Sequence, residues 1–162
     1  MGPMFGNQRS TGKLTPVSTG LVEGIFVAAE NGELPRPVDS VRALAGKGLE
    51  GNRYFWADGG APAGNALTLI ATEALAESGL DITAAETRRN VLTSGIDVNA
   101  LVGKHFRIGA LECYGVELCE PCSHLQKLTG KDVLGTLVHR AGLNADILAD
   151  GEIAVGDAVV VI

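Results

Sequence analysis

The chain has 162 residues, 46% hydrophobic and 20% charged, which favours one globular domain and excludes wholesale disorder. Its formal net charge of −6 argues against a nucleic-acid partner, because nonspecific binding needs a large basic surface. No apolar run approaches the roughly 18 residues of a membrane-spanning helix, so we expect no membrane partner. Residues 1–19 lack the apolar core of a secretion signal, and we expect a flexible tail, part of which could derive from cloning, on a cytoplasmic protein.

The first half of the chain alternates short apolar segments with turn signals. The apolar and β-branched segments predict four strands, at residues 21–29, 38–44, 66–71 and 90–93. Residues 45–65 are glycine-rich and predict a long loop, a length that is uncommon unless the loop is functional. Thr72 is predicted to cap a short helix that runs to about Ser78 and ends at Gly79. With 22 glycines, the chain is expected to use tight turns between short elements.

The second half continues this pattern of short elements. Helical segments are predicted at residues 98–102, 123–129 and 132–140, with Asp97 and Asp132 as caps. Residues 104–118 predict one long strand with a bend at Gly109. Asp150-Gly151 predicts a β-hairpin between residues 144–149 and 154–162, because this dipeptide tolerates a positive φ. Strands at both ends with short helices between them predict a mainly β protein, a closed or nearly closed β-barrel.

The sharpest chemical feature is the segment Cys119-Glu120-Pro121-Cys122-Ser123-His124. Cys122 directly precedes a predicted helix, whose free N–H groups stabilise a thiolate. Such a thiolate can act as a nucleophile, a persulfide carrier or a soft metal ligand, and His124 can contribute charge or a proton.

Three other interpretations of these cysteines remain open at this point. Cys119 and Cys122 can be small apolar residues without a chemical role. A structural zinc site can be drawn from Cys113, Cys119, Cys122 and His124, although the usual paired spacing is missing. Thioredoxin-like exchange is disfavoured, because the chain lacks the parallel crossover pattern of that fold.

Two arginine-containing segments are candidates for binding an anion. Arg88, Arg89 and Asn90 precede a predicted strand, and guanidinium groups with an amide suit a phosphate and a heterocycle edge. A solvated strand entry with a surface ion pair explains the same residues. Asn52 and Arg53 lie in the glycine-rich loop, where Arg53 can meet an anion, although this segment alone is better explained as a turn.

Taken in order, these segments resemble the MOSC domain, the C-terminal domain of molybdenum cofactor sulfurase. The matching segments are residues 37–38, 48–54, 87–91, 95–97, 101–109, 120–125, 141–145 and 151–157. Their order and spacing cover residues 20–162 and identify the chain as similar to a small standalone member of bacterial type. The resemblance implies a single β-barrel domain related to the insert domain of pyruvate kinase, with a few short inserted helices.

The resemblance also implies a chemistry. Cys122 would carry sulfur as a persulfide or ligate the molybdenum of a pterin cofactor. Arg53, Arg88 and Arg89 would hold the phosphate of that cofactor, with Asn90 on its polar edges. The cofactor-binding candidates are Asn52, Arg53, Arg88, Arg89, Asn90 and His124.

One departure from the family concerns Asn52, which stands where relatives commonly carry Asp, so an ionic role at this position is lost. Relatives include small reductases of N-hydroxylated compounds that work with electron-transfer proteins. Expected partners are therefore a small molecule and either an electron-transfer protein or a sulfur donor. A non-catalytic module that carries sulfur or cofactor is the alternative.

Overall fold

The structure, a computed structural model, describes residues 19–162, so the tail predicted for residues 1–19 lies almost entirely outside the described residues. The strands are β1 (Gly20–Val27), β2 (Arg36–Val38), β3 (Ser40–Leu44), β4 (Gly48–Leu49), β5 (Leu67–Ala71), β6 (Val91–Ser94), β7 (His105–Ile108), β8 (Leu111–Leu118), β9 (Leu143–Ile147), β10 (Gly151–Ala154) and β11 (Ala158–Val161). The helices are α1 (Thr72–Ser78), α2 (Ala84–Thr87), a 3₁₀ turn (Val98–Leu101), α3 (Ser123–Thr129) and α4 (Val133–Thr136). None of these described helices is long and apolar enough to cross a membrane.

Seven strands close into a barrel in the order β11-β7-β8-β9-β5-β6-β1, and β1 pairs again with β11. All neighbours are antiparallel except β5 and β6, which are parallel and are joined by the crossover that contains α1 and α2. The short strand β2 pairs with β1 outside the ring, and β3, β4 and β10 form a separate sheet. The prediction of a closed β-barrel with a few short helices is confirmed.

The interior of the barrel is aliphatic and follows the alternation expected of half-buried strands. In β7, Phe106 and Ile108 are fully buried, while His105 and Arg107 are exposed. This core, which we call the barrel core, includes Val22, Ile25, Leu49, Leu67, Leu69, Val91, Leu101, Phe106, Ile108, Leu143, Ile153 and Val159. Burying these side chains is the main favourable contribution to folding of the barrel.

A second, smaller apolar cluster lies under α3 and α4. It consists of Ile82, Leu125, Val133, Leu137 and Ala141. We call residues 123–141, packed on Ile82, the helical cap. The cap begins immediately after Cys122, which is the N-cap residue of α3.

Two strand predictions were wrong because strand pairing is not local. Residues 104–118 form two strands, and Gly109 with a φ of 59° lies in the turn between them. Asp150-Gly151 does not form a hairpin between residues 144–149 and 154–162. Strand β9 pairs with β5 and β8, whereas β10 pairs with β3. The Asp150 carboxylate instead accepts a hydrogen bond from the Ala45 amide at 2.8 Å.

The predicted helices lie where they were expected, but one N-cap and one helix end were predicted wrongly. Asp97 and Asp132 cap their helices as predicted, and Gly79 ends α1 in a left-handed conformation. Thr72 does not cap α1, because it is the first helical residue and the preceding alanine makes no side-chain cap. The last helix ends at Thr136, well before residue 140.

Helix α2 was not predicted, although its signal is present in the sequence. Thr83 and Glu86 form a capping box, in which each side chain bonds the backbone N–H of the other residue. The spacing Thr-x-x-Glu is the usual sequence mark of such a box.

Candidate functional site

A cleft of about 360 Å³ lies where the loop after β4, the start of β6 and the segment before α3 meet. It brings together all of the residues that the sequence nominated as a site, namely Asn52, Arg53, Arg88, Arg89, Asn90, Cys122 and His124. These residues come from three separate segments of the chain. Their convergence is therefore a property of the fold and not of sequence proximity.

Cys122 is exposed and lines the cleft. Its backbone is extended, and its Sγ accepts a hydrogen bond from the Leu125 amide at 3.4 Å, which fixes the sulfur at the first turn of α3. His124 is also exposed and lines the cleft. An accessible thiol with a neighbouring imidazole can act as a nucleophile or bind a soft metal.

The other two cysteines are less available than Cys122. Cys113 lies in β8 inside the barrel core, where burial raises the pKa of its thiol to about 12. Burial also raises the pKa of Cys119, and the charge of Arg89 opposes this rise only in part. Within residues 19–162, no group of three or more His, Cys, Asp or Glu side chains could hold a metal ion. The zinc alternative through Cys119, Cys122 and His124 therefore has no support from the geometry.

Arg53 and Arg88 bring two cations into this cleft. The Nε atom of Arg53 and the Nη2 atom of Arg88 are buried and have no hydrogen-bond partner. Neither guanidinium belongs to an ion pair within the described residues. Burial lowers the pKa of Arg88 and the like charge of Arg53 lowers it further, while Tyr54 and the charge of Glu33 oppose this shift only in part. Buried donors that lack partners destabilise a site, so an anion bound here would relieve this cost.

Arg88 is placed by an unusual backbone conformation. It ends α2 with a φ of 64°, in the left-handed region that residues other than glycine rarely adopt. Strained residues of this kind concentrate at functional sites, where the surrounding structure holds them.

Arg89, the next residue, is used in a different way. Its guanidinium donates to the carbonyl oxygens of Ala141 at 2.8 Å and of Thr87, Cys119 and Glu120 at 3.2 Å each. These bonds occupy four of the five N–H donors of an arginine. Arg89 therefore clamps the backbone just before Cys122, and little of its guanidinium is left for a ligand.

The two predicted asparagines also have structural bonds. Asn90 is buried, and its Oδ1 accepts from the amide and the hydroxyl of Thr68 at 3.2 and 3.0 Å, while its Nδ2 donates to the Phe26 carbonyl at 3.2 Å. Asn90 thus joins β1, β5 and β6. The Oδ1 of Asn52 accepts from the Ala28 amide at 3.1 Å. An Asp at position 52 could accept the same bond and would add a negative charge to the cleft.

Sequence reasoning missed several residues of the site. The cleft is also lined by Asn31, Tyr54, Asn65, Thr68 and Asn144. Glu120 and His139 form a second clamp, because the Glu120 carboxylate accepts from the His139 amide at 2.6 Å and contacts its Nδ1 at 2.6 Å. The hydrogen bond from this amide holds the pKa of Glu120 below its usual value. No local sequence signal joins these two residues, which are separated by the whole of α3 and α4.

Several solved structures are similar in fold to this chain. The chain is similar to the YuaD protein of Bacillus subtilis, with a TM-score of 0.74 and 16% identity over 88% of this chain and 95% of that chain. It is also similar to YiiM of Geobacillus stearothermophilus, with a TM-score of 0.64 and 16% identity over 88% and 75% of the two chains. For YiiM of Escherichia coli, the TM-score is 0.62 and the identity 20% over 91% and 70%.

At these identities, the solved structures show a shared fold alone. Comparison with curated proteins gives no match. A family model described as the MOSC domain matches residues 64–160, which is more than half of the chain. The chain therefore belongs to the MOSC domain family.

Proposed function

We propose that the cleft holds a molybdenum-pterin cofactor, with Cys122 as a ligand of the metal and with Arg53 and Arg88 on the phosphate of the cofactor. The observation that carries the proposal is the pair of buried, unpartnered guanidinium nitrogens in the same cleft as an exposed thiol. Guanidinium groups are suited to phosphate, and thiolate is a preferred ligand of soft metals.

The size and lining of the cleft support this proposal. Its volume of about 360 Å³ falls in the range of small-molecule sites, about 300–1,000 Å³. The amides of Asn31, Asn52 and Asn65 offer donors and acceptors to the edges of a heterocycle. The Glu120 carboxylate, which also borders the cleft, is engaged by His139, so it competes little for the two free cations.

Bound in this cleft, the cofactor would supply a metal centre that changes oxidation state. We extend the proposal to the reduction of N-hydroxylated compounds, in which a hydroxylamine takes up two electrons and two protons and gives an amine and water. An electron-transfer protein would deliver the electrons. His124 is the exposed imidazole in the cleft and would hold a proton at a ring nitrogen for this step.

The test is cofactor content after gentle purification from a host that makes the cofactor. We expect molybdenum and pterin in near-stoichiometric amounts in the wild-type protein. The double variant Arg53→Gln/Arg88→Gln should lose most of both, because it removes the two free cations. Arg42→Gln is the matched control, since Arg42 is an exposed arginine whose nearest carboxylate is that of Glu50 at 4.0 Å. Full cofactor content in the double variant would refute the phosphate assignment.

Sulfur carriage is a second candidate, favoured by the exposure of Cys122 and by its bond from the Leu125 amide. A donor persulfide would pass its outer sulfur to the Cys122 thiolate and would leave as a thiolate. Mass spectrometry would then find an adduct of about 32 Da on Cys122, as expected for persulfidation. Cys119→Ser should keep the adduct and Cys122→Ser should lose it. An unmodified Cys122 after incubation with a persulfide donor would exclude this candidate.

A further inference from the structure

Tyr54, the residue that follows Arg53, contacts the Arg53 guanidinium in the cleft, and the cofactor proposal does not use this contact. The Cζ atom of Arg53 lies 4.6 Å from the ring centroid of Tyr54, in a cation–π contact. The Tyr54 ring is itself stacked on Trp56, with centroids 6.3 Å apart and ring planes 15° from parallel. Neither aromatic residue is among the site residues that the sequence predicts.

The backbone on both sides of Tyr54 is anchored. The Arg53 amide donates to the Ala28 carbonyl at 2.7 Å, and the Trp56 amide donates to the Lys47 carbonyl at 2.9 Å. Tyr54 itself is 52% exposed, so burial alone does not explain its position. The ring is held by its neighbours and by the backbone of the loop.

Two other arginines of the chain have a carboxylate as their neighbour. Arg42 lies near Glu50, and Arg140 is paired with Glu77. A carboxylate positions a cation but also neutralises it, so a bound anion would have to compete with that carboxylate. An aromatic ring attracts the cation through its quadrupole and leaves the charge in place.

We infer that Tyr54, backed by Trp56, is a positioning residue for the anion site: it holds the Arg53 guanidinium in the cleft in place of a carboxylate and so keeps it available for phosphate. This inference rests on the proposed function only in taking Arg53 as a phosphate contact. It assigns to the aromatic pair of Tyr54 and Trp56 a role in ligand affinity.

The test is phosphate binding by the full chain, produced in a host that lacks the cofactor pathway. Inorganic phosphate is the probe, and NMR shifts of the Arg53 side-chain Nε–H group report binding at this residue. Tyr54→Leu should weaken phosphate binding about two- to fivefold, the range of an exposed cation–π contact. Tyr54→Phe, which keeps the ring face, should bind as the wild type does. The Arg53 side-chain signals should lose their ring-current shift in Tyr54→Leu and keep it in Tyr54→Phe.

The outcomes separate this inference from the proposed function. If Arg53→Gln weakens phosphate binding and Tyr54→Leu does not, Tyr54 has no positioning role and the anion site stands. If Tyr54→Phe is as weak as Tyr54→Leu, the hydroxyl and not the ring is responsible, which also overturns the inference. If Arg53→Gln and Arg88→Gln both bind phosphate as the wild type does, the anion site of the proposed function fails.

Discussion

The cleft is lined by residues from two unlike regions, the segments that flank the barrel strands and the start of the helical cap. Arg53 lies in the loop between β4 and β5, and Arg88 ends α2 close to the start of β6. The barrel beside them has a large apolar interior, whereas the helical cap, which starts directly after Cys122, has four buried apolar residues of its own and packs on Ile82. A closed barrel has few ways to open locally, but a small cluster under two short helices unfolds at lower cost. The thiol is therefore expected to depend on a few clamps, chiefly Arg89 and Glu120, for its position.

The largest loss in the free energy of unfolding is expected from truncating one buried side chain in each region. Phe106→Ala should lower the free energy of unfolding by about 3–5 kcal/mol and should affect the whole barrel. Leu137→Ala should cost about 2–5 kcal/mol within the cap. Hydrogen exchange measures the difference: in Leu137→Ala, protection should fall over residues 123–141 and remain in β7. Equal loss of protection in both regions would show that the cap and the barrel unfold as one unit.

The next largest effect is a difference in stability between variants of two neighbouring arginines, Arg89 and Arg88. Arg89→Met should lower the free energy of unfolding by about 2–3 kcal/mol, because it leaves the partly buried carbonyl groups of Ala141 and Cys119 without a charged donor. Arg88→Met should leave stability unchanged or raise it by up to about 1 kcal/mol, because it removes an unpaired buried donor. Urea unfolding measures both values. Equal destabilisation by the two variants would contradict the assignment of Arg89 to holding the backbone and of Arg88 to binding an anion.

These two arginines also mark the limit of what the sequence could predict. The motif nominated both residues for one role, and nothing local distinguishes them. The difference arises from the left-handed turn at Arg88 and from carbonyl groups of residues 119–141, which only the tertiary fold brings close. Local signals did predict the helix caps at Asp97 and Asp132. They failed at Asp150, whose bond to Ala45 joins residues 105 positions apart.

The smallest expected effect is a pH dependence of the contact between Glu120 and His139. Since the pKa of Glu120 is held below its ordinary value, this contact stabilises the fold above about pH 4.5 and is lost as the pH falls through the lowered pKa. The contact is partly exposed, so its contribution is expected to be about 0.2–1 kcal/mol. Hydrogen exchange of the His139 amide should accelerate in acid relative to β7 amides.

Glu120→Gln is the control for this titration, because the amide oxygen can still accept from the His139 amide but cannot ionise. The acid-dependent loss of protection at His139 should be absent in this variant. If the two proteins show the same acid dependence, another group titrates there and the Glu120 clamp does not carry the effect.

The central claim is that Cys122 ligates the metal of a cofactor held in the cleft, and X-ray absorption at the molybdenum edge tests it most directly. The measurement compares cofactor-loaded wild-type protein with Cys122→Ser, with Cys119→Ser as the matched control. We expect one sulfur neighbour fewer around molybdenum in Cys122→Ser, and unchanged coordination in Cys119→Ser. Identical sulfur coordination in wild type and Cys122→Ser, or no molybdenum in the wild-type protein, would contradict it.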